Sequence, residues 1–144
     1  MPLQRSGAAS EGCSRYQCLH LGDFLRRATR QILKGWRDGR FTLVLSPEIL
    51  EEYQRVADAL SKKYPPVDLT ELLELIVVEA DMIQAEPLNE PVSADPDDDM
   101  FIACALASGA RLIVSGDKHL LGVDGYGGIE VLKPKAFVDR HLLN

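Results

Sequence analysis

Short apolar runs separated by helical segments constrain this chain more than any other feature. Residues 41–45 (FTLVL), 111–114 (RLIV) and 129–132 (IEVL) are too short for helices, and turn or cap residues bound them, so they read as buried strands. Between them the apolar period is helical. Leu25, Ala28, Ile32, Leu33 and Trp36 predict a helix over 24–36, with Gly39 placed to stop it. Ser46 followed by Pro47 reads as an N-cap with proline at the first helical position, opening a helix over 47–63 that Pro65 and Pro66 break. Asp68 with Glu71 resembles a capping box for a third helix carrying LLELIVVEA, and residues 82–84 suit a short strand. A loop, EPLNEPVSADPDDD, leads into a helix over 98–109, and Pro134 starts a C-terminal helix, KAFVDRHLL. Strands alternating with helices in this way imply a parallel α/β sheet covered on both faces.

With 144 residues, 46% of them hydrophobic, the chain suits one domain with a real core. No apolar run approaches the roughly 20 residues of a membrane span, and the first twenty residues lack the apolar stretch of a signal peptide, so a cytoplasmic location is expected. Cys13, Cys18 and Cys104 do not make a disulfide framework; Cys104 lies in the most apolar helix, where a free thiol acts as a small hydrophobe. The net charge of −6 is uneven: residues 1–40 hold eight Lys/Arg against three Asp/Glu, and residues 41–144 hold eight against nineteen. Arg26, Arg27, Arg30, Lys34 and Arg37 make one helix basic, suited either to a solvated face or to nucleic-acid phosphate.

Chemistry concentrates between residues 95 and 117. Asp95, Asp97, Asp98 and Asp99 crowd one helix start, and the strand after that helix returns Asp117 at its C-terminal end, where ligands bind in open α/β sheets. A helix N-terminus favours one or two carboxylates, but four repel one another unless a cation or solvent neutralises them. Glu52 is the candidate third contributor. It lies three residues after Ile49 and four before Val56 on the inward stripe, whereas Glu51 sits with Arg55 and Asp58 facing water. Each residue also has a plain structural role open to it. Glu52 can be a helix-surface glutamate, Asp97 or Asp98 a helix cap, Asp95 a loop residue or outer ligand, and Asp117 an N-cap for KHLL. Asp99 shares a face with Ile102, Ala103 and Leu106, which turns it along the packed side, with Asp98 one residue round. A calcium loop is excluded, because Met100 and Leu106 stand where its glycine and bidentate glutamate belong. Oxygen ligands without a Cys/His cluster favour Mg²⁺ or Mn²⁺ over zinc, and His119 and His141 read as surface residues.

The stretch FTLVLSPEILEEYQRV, then DPDDDMFIACALASGARLIVSGDKHLL and the GIEVLKPKAFV ending, resembles PIN-domain nucleases, and more narrowly the toxin components of bacterial toxin–antitoxin systems. The similarity runs from about Arg27 to the C-terminus. It implies a Rossmann-like α/β fold and Mg²⁺- or Mn²⁺-dependent cleavage of RNA, with a cognate antitoxin as protein partner and a homodimer as an assembly open to it. Carried over by position, it implies catalytic and metal-binding roles for Glu52, Asp99, with Asp98 a close competitor, and Asp117; Asp95 is added as an outer metal ligand from its place in the loop, and Arg27, Arg30 and Lys34 as RNA contacts from the charge of their helix.

The family's first strand ends in Asp-Thr-Asn, and residues 1–24 contain no such motif. A legal back-translation of Cys13 to Phe24, read one base later, encodes VLDTNVYISAI, and choosing codons for Glu11 and Gly12 extends it to RVVLDTNVYISAI. The expectation is therefore a chain out of frame until about residue 24. Residues 1–23 would form a non-native or disordered segment, residues 24–144 the PIN-like domain, and the first strand with one metal ligand would be absent. A catalytically inactive remnant that still binds antitoxin or RNA is the alternative function. A phosphohydrolase of different α/β topology is disfavoured, since no strand carries an Asp-x-Asp nucleophile motif.

Overall fold

The computed structural model describes residues 16–19, 27–65 and 68–142. Five parallel strands form one sheet in the order β3-β2-β1-β4-β5: β1 Tyr16–Leu19, β2 Thr42–Leu45, β3 Asp81–Met82, β4 Leu112–Val114 and β5 Glu130–Leu132. The helices are α1 Arg27–Arg37, α2 Pro47–Lys63, α3 Thr70–Glu79, α4 Asp99–Ser108, α5 Lys118–Leu121 and α6 Pro134–Phe137, the last continuing into a wide turn over Val138–Leu142. α1 packs on α6 and that turn; α2 packs on α3 and α4, and α4 lies against β1, β2 and β4. The expected α/β architecture is present, and its local signals act as read. Ser46 Oγ accepts from the N–H of Ile49 at 3.3 Å, and Gly39 ends α1 with φ of 80°. Asp68 caps one residue differently from a capping box, accepting from the N–H of Thr70 at 3.0 Å.

The expectation of an absent first strand is corrected. Tyr16–Leu19 occupies the middle of the sheet, with Gln17 opposite Leu43 on β2, and Cys18 and Leu19 opposite Ile113 and Val114 on β4. Without it, β2 and β4 would each present a row of unpaired N–H and C=O groups in the centre of the fold. A central strand needs only side chains that tolerate burial on both faces, not alternation, and Cys18 and Leu19 are buried. Disorder throughout 1–23 is therefore incorrect for residues 16–19; residues 1–15 and 20–23 lie outside the described residues.

β1 is tied to both neighbouring layers. The hydroxyl of buried Tyr53, on α2, donates to the Leu19 carbonyl at 2.5 Å. Cys18 meets Cys104 of α4, and their thiol hydrogen bond together with burial pushes the Cys18 thiol well up while the same bond lowers that of Cys104, so Cys18 packs in the core as a neutral thiol. On the other face Phe137 meets Phe41 edge to face at 5.4 Å, beside Ile32 and Trp36.

Candidate metal centre

The DPDDD segment folds as a single tight turn, Pro96–Asp98, that runs directly into α4. Asp95 opens it, its carboxylate accepting from the N–H of Asp97 at 3.0 Å and its carbonyl from the N–H of Asp98 at 2.9 Å. The turn rotates the four aspartates to different surroundings. Asp97 is exposed, Asp95 half-buried, and Asp98 is buried at 4% exposure. Asp98 stands in line with Phe101, Ile102 and Ala105, three, four and seven residues on, all buried.

Asp99 is placed otherwise than its helical stripe suggested. Its two carboxylate oxygens accept from the N–H groups of Ser93 at 2.7 Å and Val92 at 3.1 Å, so it clamps the incoming loop onto α4. Leu106, on the same stripe, is exposed. Asp99 also lines a groove of about 450 Å³ together with Ser46, Glu48, Leu88, Pro91 and Met100; Asp95, Asp98, Asp117 and His119 are not part of its wall.

Asp117 follows β4 by way of Ser115 and Gly116. It fills the capping role open to it: Oδ1 accepts from the N–H of His119 at 2.6 Å, and its own N–H donates to Ser115 Oγ at 2.9 Å. It also faces the Asp98 side. Burial first, then the charges of Asp117 and Asp95, push the Asp98 carboxyl up to about 6, with His119 opposing them. His119, which reads as a surface residue, is instead half-buried here. Its Nδ1 lies 3.3 Å from Asp117 Oδ1 and 3.9 Å from Asp98 Oδ2. One ligand atom from each of Asp95, Asp98 and His119 falls within 4.8 Å of the others. Sequence offered one faint signal for it, a histidine two residues after an aspartate that caps a helix.

Glu52 borders the core as its spacing implies, half-buried where Glu51 is exposed. Its carboxylate is held by Arg55 through both oxygens, Nε donating to Oε1 at 3.0 Å and Nη2 to Oε2. The Glu52 hydrogen bonds and charge, and more weakly Asp97, hold the Arg55 guanidinium charged, so Arg55 links α2 electrostatically to the DPDDD turn. The folded chain thus gathers Asp95, Asp98, Asp117 and His119, gives Asp99 to a loop, and pairs Glu52 with a cation. On α1, Arg27, Arg30, Lys34 and Arg37 are exposed, Lys34 bridging to Asp38 at 2.9 Å.

The donor set fits a divalent cation. Three carboxylates and an imidazole offer mostly hard oxygen, and the crowding that raises Asp98 is what a cation would relieve. The sequence model described as a PIN domain matches residues 18–119. No curated protein matches the chain.

Proposed function

Since this chain belongs to the PIN-domain family, whose members are nucleases, we propose that it is a metal-dependent endoribonuclease acting as the toxin of a toxin–antitoxin pair. The observation that carries the reading is the convergence of Asp95, Asp98 and Asp117 beside the C-terminal end of β4. Such a cluster on a protein of net charge −6 repels RNA until cations neutralise it.

Asp98 and Asp117 would hold Mg²⁺ or Mn²⁺, with Asp95 at the rim and Glu52 as a ligand once it exchanges Arg55 for the cation. Bound there, the cation supplies Lewis-acid stabilisation of charge developing on the phosphoryl oxygens during hydrolysis. The protein's part is positioning. Asp95 and Asp117 are fixed by the backbone N–H groups they accept, and Asp98 by the buried face of α4. Asp99 acts in this reading through the loop it clamps, and Arg27, Arg30 and Lys34 supply positive charge for the RNA backbone. The setting is the cytoplasm, with a cognate antitoxin as partner and a homodimer as an assembly open to it.

The test is RNA cleavage by the chain after chelation, with Mg²⁺ or Mn²⁺ restored. Asp117→Asn should reduce cleavage by at least about 10–100-fold, the loss typical of disturbing a metal's surroundings. Cleavage that persists in excess chelator would refute the reading. One observation favours the inactive remnant instead: β1 ends in Cys18 and Leu19, so its described residues bring no carboxylate to the site. Metal-independent RNA or antitoxin binding without cleavage would select that reading, and it is the outcome expected if the N-terminus is out of frame.

A further inference from the structure

His119 is the residue of this cluster that an all-carboxylate centre does not require. It occupies the second position of α5, with its backbone N–H bound to Asp117 Oδ1 at 2.6 Å. That bond fixes where the ring starts. The side chain keeps 37% exposure, yet Nδ1 is buried and makes no hydrogen bond among the described residues. This nitrogen faces inward, 3.3 Å from Asp117 Oδ1 and 3.9 Å from Asp98 Oδ2.

An imidazole nitrogen without a proton presents a lone pair, as does each carboxylate oxygen. Two carboxylates and a nitrogen lone pair aimed at one point repel unless something positive sits between them. A proton on Nδ1 does this for one pair of atoms; a divalent cation does it for all. Metal bonds of about 2.0–2.2 Å to nitrogen and oxygen place opposite ligands roughly 4.0–4.4 Å apart. The 4.8 Å limit within which Asp95, Asp98 and His119 ligand atoms lie needs only a few tenths of an ångström of contraction to meet that.

We propose that His119 Nδ1 is a metal ligand, which makes this a mixed nitrogen–oxygen centre selective for Mn²⁺ over Mg²⁺. This rests on reading the cluster as the metal site of the proposed nuclease. Imidazole suits transition metals, whereas Mg²⁺ gives up water reluctantly and keeps to oxygen, so one nitrogen donor separates the two ions more than another carboxylate would.

The experiment measures metal binding rather than activity. The full chain, stripped with chelator and dialysed, is titrated calorimetrically with MnCl₂ and separately with MgCl₂; Co²⁺ absorption spectra report nitrogen ligation directly. Wild type should bind Mn²⁺ about tenfold or more tighter than Mg²⁺, and His119→Asn should weaken Mn²⁺ by about 10–100-fold while moving Mg²⁺ far less. His119→Asp, a second variant in case the first folds poorly, should narrow the Mn²⁺ to Mg²⁺ ratio by strengthening Mg²⁺. If both variants keep the wild-type ratio and Co²⁺ spectrum while Asp98→Asn loses both metals, the centre exists and His119 is only an ion-pair partner, which overturns the inference. If wild type binds neither ion, the inference and the metal-dependent nuclease reading fall together.

Discussion

Replacing Asp98 with asparagine should make the metal-free protein more stable and the metal-loaded protein less so. The carboxyl sits at about 6 against an ordinary 3.8 because it is buried and faces Asp117 and Asp95. Between those two values the native state holds a proton that the unfolded state has released, so wild-type stability falls as pH rises through this window. Two pKa units correspond to roughly 3 kcal/mol, and solvent screening at the open end of the sheet reduces this to about 1–3 kcal/mol. A neutral amide at this position carries no such penalty. The variant's advantage should be near zero below about pH 4, where both states are protonated, and reach its full value above about pH 7.

Urea denaturation in excess chelator measures this, followed by Trp36, the chain's single tryptophan and buried. With Mn²⁺ at about a hundred times its dissociation constant, wild type should gain about 2.7 kcal/mol and the variant much less, reversing their order. Parallel stability curves for the two proteins from about pH 4 to 8 in chelator would show that Asp98 titrates normally and that the crowding argument is wrong.

Asp99→Ala removes the two acceptors that hold Val92 and Ser93, so hydrogen exchange should quicken across residues 88–95 while Mn²⁺ affinity changes little; an affinity loss equal to that of Asp98→Asn would make Asp99 a ligand. Tyr53→Phe leaves the Leu19 carbonyl without its donor and should cost about 1–3 kcal/mol in denaturation, whereas no change would mean β1 is not held from α2. A chain carrying RVVLDTNVYISAI in place of Glu11 to Asp23 should melt higher and acquire stronger metal-dependent RNA cleavage, because it adds an apolar strand and a carboxylate. Equal cleavage by the unaltered chain would show that the existing N-terminus is functional and in frame.

What the sequence determined by itself is whatever depends on neighbours along the chain. Ser46 caps the helix that Pro47 starts, Gly39 ends α1 in a left-handed turn, and Asp117 caps α5, each through an interaction spanning a few residues. The order of strands and helices followed from periods just as local, and with them the prospect of carboxylates at one end of a sheet. Tertiary structure decided the rest. Asp98 and Asp99 are adjacent acids, and the choice between them turned on a rotation of about 100°, which the tight turn and the buried face of α4 set. β1 formed from residues without strand periodicity, because β2 and β4 left backbone groups unpaired on both sides of one gap. Glu52 met Arg55, and His119, at the start of α5, came to lie against Asp98, at the start of α4, 21 residues earlier in the chain. Burial and charge at these positions are sums over residues far apart in sequence, so no window along the chain contains them.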